Sequence, residues 1–436
     1  MGKQQDKTKD KSGDKDRRRR EAFYRFVTPP ISMWLAARFG YSYDRSFEPD
    51  DIEGPVVVCI NHTCAYDPLF VGAAFRHRPL VFIASEHLLR DPKWGGFLDK
   101  YTSLIPHQKG KSANRTALAA VKRVRRGESI FLAPEGEQTW DGLPMEIRPA
   151  TAGFIRSCRA TLVTYMIEGG YLAQPRWAGN VRKGRVYCHP VNVYSPETLA
   201  DMSDEEIEGA IADDLRFDVW EWQKAQPNGP LRFSCSKGGN AEGLERAVCS
   251  CPECRRIGGL KTSGDYISCG CGFRLRLGDT GFFEQPGPFE TVADWEEADR
   301  RLLTAVLEAE RRACGPASGG EEEPARGDEE EPARGDASEI FGDDDIILTE
   351  IGKGHSSREA ARGRLSLTFE GGDFVLSIED KEGEEVRSFR YGSIEEMMMV
   401  LAGRVLFSDG DGYYELSSKT ANLRKYVIAR EIYMSS

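Results

Sequence analysis

The 436-residue chain contains no apolar run that approaches the roughly 20 residues needed to cross a bilayer. No apolar stretch follows the basic N-terminus, so we expect no signal peptide and a cytoplasmic protein. Asp and Glu outnumber Lys and Arg, and the resulting formal net charge of -11 argues against a general nucleic-acid binder. We therefore expect no nucleic-acid partner. The length is sufficient for two or three domains.

The 11 cysteines are not spread as in a disulfide framework, because six of them lie between Cys235 and Cys271. Within this region two close pairs stand on turns that contain Pro or Gly. Two such knuckles can complete a tetrahedral site. We expect a zinc-ribbon-like module that binds one structural Zn²⁺ through Cys251, Cys254, Cys269 and Cys271. Cys249 is an alternative ligand, since the second pair is spaced more tightly than usual.

A short apolar run, Val56 to Ile60, ends in a polar turn that carries His62, with Asp67 about one helical turn later. The run reads as a buried strand, so polar side chains are expected to emerge where it ends. The carboxylate of Asp67 can fix the tautomer of His62 and stabilise its imidazolium form. The pair is therefore a candidate general base with its orienting group, suited to deprotonating a substrate hydroxyl.

A second apolar run begins at Ser129 and ends in Pro134, Glu135 and Gly136. Proline fixes its own backbone, and glycine permits a tight turn or the close approach of a substrate. Ligands in α/β folds gather outside strand ends, which makes Glu135 a second candidate site residue.

The spacing of His62-x4-Asp67 and Pro134-Glu135-Gly136 resembles the first and third sequence blocks of the glycerolipid acyltransferases, such as 1-acylglycerol-3-phosphate acyltransferase. The stretch Leu104–Lys111 resembles the second block, with Lys109 where the family usually has Arg. The stretch Leu162–Met166 resembles the fourth block. The resemblance covers residues 22 to 200.

The resemblance implies transfer of an acyl chain from acyl-CoA or acyl-carrier protein to the hydroxyl of a lysophospholipid. The first candidate acceptor is 1-acylglycerol 3-phosphate, which would give phosphatidic acid. His62 would be the base and Asp67 its orienting group, while backbone N–H groups near the two motif turns would stabilise the oxyanion. The implied substrate-binding residues are Asn61, which also braces its turn, Lys109, Arg115, Glu135, Gly136, Arg148 and Arg176.

Two departures from the family weaken the expected grip on a phosphate. Lys109 offers a point charge in place of a planar guanidinium, and Glu137 and Gln138 replace a hydroxyl and an Arg. We expect Arg148 and Arg176 to compensate; the alternative is that the acceptor is not a simple phosphomonoester.

Two other functions stay open. One is a lipid-binding protein on the same fold with little or no turnover. The other is a metal-dependent hydrolase in which His62, Asp67 and Glu135 are the ligands.

The N-terminal region combines basic, aromatic and apolar residues. Residues 1–20 are polar and end in four arginines, so we expect a disordered basic tail. Residues 21–40 carry aromatic residues on both sides of Pro29 and Pro30, which predicts two short helical pieces. A basic segment next to an aromatic one is typical of peripheral contact with a membrane surface. The alternative is a helix that packs on its own domain.

The rest of the chain divides by composition. Residues 21–229 alternate apolar runs with helical stretches and predict an α/β domain, and the resemblance implies that it is an acyltransferase domain. Residues 230–312 hold the cysteine module and a charged helix. Residues 313–345 contain two identical acidic octads and predict an extended linker. Residues 346–436 show two hairpin patterns and a final helix, which resemble a pleckstrin-homology-like arrangement. Such a domain could bind lipid, bind a partner or cover the enzyme.

Overall fold

The computed structural model describes residues 2–85, 95–96, 104–107, 114–314, 339–352 and 356–435. Two features discussed above lie outside these residues: the second half of the predicted second block, which includes Lys109, and the two acidic octads.

The helices of the described residues are α1 (Gly2–Phe39), α2 (Asp67–Ala74), α3 (Asn114–Val124), α4 (Thr151–Cys158), α5 (Gly170–Ala173), α6 (Pro196–Asp201), α7 (Asp204–Leu215), α8 (Val219–Lys224), α9 (Val292–Cys314) and α10 (Arg424–Ser435). The strands up to the cysteine module are β1 (Tyr41–Tyr43), β2 (Val56–Ile60), β3 (Leu80–Ser85), β4 (Ile105–His107), β5 (Ser129–Leu132), β6 (Thr161–Glu168), β7 (Arg182–Lys183), β8 (Val186–Tyr194) and β9 (Ser234–Cys235). The later strands are β10 (Lys261–Ser263), β11 (Tyr266–Ser268), β12 (Arg274–Arg276), β13 (Phe341–Ile351), β14 (Ser357–Glu370), β15 (Asp373–Glu379), β16 (Glu385–Arg390), β17 (Glu396–Leu401), β18 (Arg404–Ser408) and β19 (Tyr413–Ser417).

The first domain is built on a seven-stranded sheet with the order β1-β8-β6-β2-β5-β3-β4. Strands β6, β2, β5, β3 and β4 are parallel, whereas β8 runs antiparallel to β6. Since β2 and β5 are parallel neighbours, their carboxyl ends meet at one edge of the sheet. The predicted α/β domain is confirmed, and this edge brings together the segments that carry His62 and Glu135.

Helices cover both faces of this sheet, which explains why β2 is apolar at every position. Val56, Val58 and Ile60 contribute to one core cluster, and Val57 and Cys59 contribute to the other. All five residues are 0% exposed. The first cluster includes Leu35 and Phe39 of α1 and Phe70 and Val71 of α2. The second includes Val121 of α3, Ile155 of α4 and Ile207 and Ile211 of α7.

The N-terminal region differs from the sequence prediction, because residues 2–39 form one helix, α1. The predicted disordered tail is therefore helical from Gly2, and Lys, Arg and Gln are good helix formers. The predicted break at Pro29 and Pro30 is absent too. Both prolines are exposed, as are Arg25 and Phe26, whose carbonyl groups lose their helical partners there. Water can satisfy such carbonyl groups, so the prolines are tolerated.

The cysteine module contains the three-stranded antiparallel sheet β10-β11-β12 and is joined to the first domain by pairing of β7 with β9. Helix α9 packs against it through Trp295, which is 0% exposed and donates from its indole nitrogen to the Ser250 carbonyl at 3.0 Å. The predicted charged helix is thus part of this module, and it extends to Cys314.

The C-terminal domain is a seven-stranded antiparallel sheet with the order β16-β15-β14-β13-β19-β18-β17, closed by α10. Both predicted hairpins are present, β14–β15 around Gly371 and Gly372 and β18–β19. The predicted linker boundary at residue 345 is wrong, because β13 already begins at Phe341. The acidic residues there are strand residues with cationic partners: Asp343 pairs with Lys425, and Asp344 pairs with Arg364. The pleckstrin-homology-like identity stays a prediction.

Candidate functional site

The turn after β2 places His62 against the first residue of α2. The Nδ1 atom of His62 lies 2.8 Å from Oδ2 of Asp67. The side chain of His62 is 23% exposed, whereas that of Asp67 is 0% exposed. With Nδ1 bonded to the carboxylate, Nε2 is the atom left to accept a proton from a substrate. The contact predicted from the spacing of the two residues is therefore present.

Asp67 is held by donors from the turn that precedes it. The N–H groups of Thr63 and Cys64 donate to its oxygens at 2.7 Å and at 3.0 and 3.1 Å. The Thr63 hydroxyl donates at 2.6 Å and the Cys64 thiol at 3.3 Å. A carboxylate at a helix N-terminus also meets the positive end of the helix dipole. The turn thus fixes the carboxylate that orients His62.

Two other buried polar residues brace this turn. The amide of Asn61 donates to the Ile167 carbonyl at 3.0 Å and accepts from the Ile167 N–H at 2.8 Å. Glu135 is 4% exposed and accepts from the N–H of His62 at 3.1 Å. These contacts support the bracing role expected of Asn61, whereas its assignment as a substrate contact stays a prediction.

Glu135 lies where a charge is costly. Burial raises its pKa to about 8, and the charge of Asp67 adds to the rise. Hydrogen bonds from the N–H groups of His62 and Met145 oppose it. The carboxyl group of Glu135 therefore links the two motif turns and holds a proton more tightly than an ordinary glutamate.

Two features of the structure require glycine at position 136. Its φ of +78° lies in the left-handed region, and a Cβ atom there would stand 2.8 Å from Nε of Arg148. Arg148 is half exposed, and its Nη1 lies 3.5 Å from Glu396 of β17. Only glycine lets the Arg148 side chain run this close to the motif.

Arg176 does not fit the predicted role of phosphate ligand. Its side chain is 4% exposed, and Nη1 contacts both Glu137 and the Gln138 carbonyl at 3.0 Å. Nη2 donates to the Met399 carbonyl at 2.6 Å. The guanidinium neutralises the acidic residue that replaces the usual hydroxyl, so it is not available to an acceptor. Arg115 is exposed on the first turn of α3.

Four N–H groups of the motif turns, the region where we expect the oxyanion donors, are already engaged. The N–H of His62 is bonded to Glu135, those of Thr63 and Cys64 to Asp67, and that of Gly136 to the Ala133 carbonyl. Sequence reasoning did not predict that these N–H groups form hydrogen bonds within the turns themselves. An acidic residue at the first position of a helix, with a hydroxyl four residues before it, was the signal that could have revealed them.

The four cysteines predicted as ligands come together. The Sγ atoms of Cys251 and Cys271 are 3.6 Å apart, those of Cys254 and Cys269 are 3.7 Å apart, and all four lie within 4.8 Å of one another. Four sulfurs bound tetrahedrally at 2.3 Å from one zinc ion would be about 3.8 Å apart. The arrangement therefore fits Zn²⁺. Cys249 is buried next to Asp299, outside this group, and is not an alternative ligand.

Comparison with known proteins gives a family for part of the chain. Residues 42–170 match the model of the acyltransferase family. No curated protein matches the chain. Among solved structures, the 1-acyl-sn-glycerophosphate (LPA) acyltransferase PlsC from Thermotoga maritima is similar over 48% of this chain and 84% of its own. Its sequence identity is 18% and the TM-score is 0.38. The family match confirms the resemblance carried by the two motif turns.

Proposed function

We propose that this protein, whose residues 42–170 form a domain of the acyltransferase family, acylates a lysophospholipid. The donor would be the thioester of acyl-CoA or acyl-carrier protein, and the acceptor a free hydroxyl, first of all that of 1-acylglycerol 3-phosphate. The observation that carries this proposal is the 2.8 Å contact between His62 and the fully buried Asp67 at a sheet edge.

In this reaction His62 would act as a general base. Nε2 takes the proton of the acceptor hydroxyl as its oxygen attacks the thioester carbonyl, and Asp67 stabilises the imidazolium. The carbon–sulfur bond then breaks, an ester remains, and the leaving thiolate takes the proton back from His62. The oxyanion is stabilised by groups other than the N–H donors of His62, Thr63 and Cys64, because those are engaged within the turn.

The geometry gives no support to a metal-dependent hydrolase at this site. The oxygens of Asp67 and Glu135 point at N–H donors of the motif turns rather than toward a common centre. Among the residues with described positions, the only group of His, Cys, Asp and Glu with metal-like spacing is the cysteine cluster.

Three basic residues remain as candidates for the acceptor phosphate: Lys109, Arg115 and Arg148. Of these, Arg148 stands directly beside Gly136. Its present partner, Glu396, belongs to the C-terminal domain, and the two side chains are 49% and 36% exposed. Such an exposed pair contributes little. A phosphate dianion could therefore displace it.

We further propose that the protein is cytoplasmic and attaches to membranes peripherally through α1. Phe26 and Met33 are 82% and 75% exposed, and Trp34 is 45% exposed. The same helix is anchored by buried Leu35 and by the Tyr24 hydroxyl, which donates to the Gly72 carbonyl of α2 at 2.9 Å. The described part of the chain has no helix that could span a bilayer. An apolar side that faces outward next to α2 would bring the site to a lipid surface.

The cysteine cluster would bind one structural Zn²⁺. Cys251 and Cys254 would hold it from one knuckle, and Cys269 and Cys271 from the other. When bound, such an ion cross-links the module and takes no part in acyl transfer.

The test is to supply labelled acyl-CoA with a panel of lysophospholipids and to identify the products by mass spectrometry. We expect a diacyl product that His62→Ala abolishes. His77→Ala is the control, because this exposed histidine lies outside the site. If no acceptor is acylated and no thioester is cleaved, while the protein still binds vesicles, it is a lipid-binding protein without turnover.

A further inference from the structure

The loop after the Pro-Glu-Gly motif, residues 136–143, touches the histidine of the site. The N–H of Thr139 donates to the His62 carbonyl at 3.1 Å. The next residue, Trp140, is 3% exposed, and its carbonyl accepts from the Tyr171 hydroxyl at 3.0 Å. Trp140 is therefore one residue from the hydrogen bond that joins this loop to the backbone of His62.

Two guanidinium groups from distant parts of the chain lie over the ring of Trp140. Those of Arg176 and Arg424 are each 4.7 Å from the ring centroid. Arg176 belongs to the acyltransferase domain, whereas Arg424 is the first residue of α10 in the C-terminal domain. Their side chains are only 4% and 9% exposed. Cation–π contacts become more favourable when water is excluded in this way.

Each guanidinium is in turn held by a neighbour. Arg176 contacts Glu137 and donates to the Met399 carbonyl of β17 at 2.6 Å. Arg424 forms a buried ion pair with Glu296 of α9. The acyltransferase domain, the helix of the cysteine module and the C-terminal domain thus converge on one tryptophan, one residue from the bond to His62.

We propose that Arg424 is a positioning residue, through which the C-terminal domain holds Trp140 and the loop 136–143 in the geometry that acceptor binding requires. This inference rests on the proposed function, because the acceptor is expected at Glu135 and Gly136, where the loop begins. A loop that is already ordered lowers the cost of binding. The C-terminal domain then affects use of the acceptor rather than of the donor.

The variant Arg424→Gln in the full chain tests this role, with Arg300→Gln as the matched control. Arg300 joins the same two helices through an exposed ion pair with Glu431 at 2.7 Å, away from Trp140. We expect Arg424→Gln to raise the acceptor KM about tenfold and to leave the donor KM within about twofold. Arg424→Lys can keep the ion pair but lacks the planar group, so it should recover thermal stability without recovering the acceptor KM.

Amide hydrogen exchange gives a readout that does not depend on turnover. We expect peptides covering residues 136–143 to exchange about 30-fold faster in Arg424→Gln than in the wild type. If Arg424→Gln does not fold, Trp140→Phe tests the same contact and should shift both readouts in the same direction.

Unchanged exchange and unchanged acceptor KM in a folded Arg424→Gln variant, as in Arg300→Gln, would overturn the proposal even where its melting temperature falls. If the wild type transfers no acyl chain, the proposed function fails. The exchange experiment then still decides whether Arg424 orders the loop.

Discussion

Replacing Asp67 by Asn tests the proposed base most directly, because the change conserves shape at a fully buried position. Each of its partners in the turn is a donor: the imidazole of His62, the N–H and hydroxyl of Thr63, and the N–H and thiol of Cys64. A carboxylate accepts hydrogen bonds from all of them, whereas an amide points its NH₂ group, itself a donor, at some of these donors. The conflict is smaller at Oδ1, since the hydroxyl and the thiol found there can rotate and accept, and the N–H of Cys64 keeps its 3.0 Å bond to Oδ2.

The amide oxygen is therefore expected at the Oδ2 position, where it keeps the bond to Nδ1 of His62 and the same tautomer. What disappears is the negative charge beside the imidazolium. Two unit charges 4 Å apart interact by about 4 kcal/mol at an effective dielectric constant of 20. Since 1.36 kcal/mol is tenfold in rate, kcat should fall by roughly 10³-fold. The mismatched amide should also lower the free energy of unfolding by about 1–3 kcal/mol.

The assay is thiol release from acyl-CoA with 1-acylglycerol 3-phosphate as acceptor, together with thermal melting of each variant. Both KM values should stay within about twofold of wild type, because Asp67 contacts neither substrate. The double variant with His62→Ala should be no slower than His62→Ala alone, since the carboxylate acts through the histidine. Asp201→Asn, at an exposed position at the end of α6, is the control. A folded Asp67→Asn enzyme that keeps more than about a tenth of the wild-type kcat would refute the reasoning.

Three further predictions follow from burial, metal fit and exposure. Between pH 4.5 and about 8 the folded protein holds a proton on Glu135 that the unfolded chain has lost, so its free energy of unfolding falls as the pH rises. Glu135→Gln should remove up to about 1.4 kcal/mol per pH unit of that slope in urea denaturation, and an identical slope would contradict the raised pKa. Elemental analysis should find one zinc ion per chain. Cys254→Ser should lose it and expose residues 230–290 to protease, whereas Cys235→Ser, outside the cluster, should do neither. Phe26→Glu combined with Met33→Glu should weaken sedimentation with anionic vesicles by roughly tenfold or more at unchanged melting temperature, with exposed Met434→Glu as the control. If the double variant binds vesicles as well as the Met434→Glu control does, α1 is not the membrane contact.

The central part of the site could be predicted because it depends on local patterns. The apolar run Val56–Ile60 became β2 with the predicted bounds, and the residues after it emerge at a strand end. A carboxylate five positions after His62 reaches it within a single turn, so no distant part of the chain is needed. The cysteine knuckles follow the same logic, since each pair is set by its own short turn.

The errors concern residues whose partners are distant in sequence. The acidic stretch at Asp343 and Asp344 has the composition of a linker, but Lys425 and Arg364 neutralise it within the C-terminal sheet. The exposed side of α1 tolerates two prolines because its inner side is anchored on α2, and that anchoring is not visible in local propensity.

Arg176 shows most clearly what a motif can and cannot reveal. Counting charges near the third block suggested that this arginine compensates for the weakened grip on a phosphate, whereas the structure pairs it with the acidic Glu137 at 3.0 Å. The same pairing argues against Arg176 as a phosphate ligand, because its guanidinium is only 4% exposed and is already bonded to Glu137 and to the Met399 carbonyl. The acidic residue that departs from the family pattern, Glu137, is therefore neutralised within the protein by Arg176. On the proposed function, the charge that recognises the acceptor would come from Arg148, Arg115 or Lys109. Of these, Arg148 lies beside Gly136 and contacts Glu396 of the C-terminal domain. Both arginines nearest the motif thus contact β17, Arg148 through Glu396 and Arg176 through the Met399 carbonyl, which connects the C-terminal domain directly to the side of the motif where we propose that the acceptor binds.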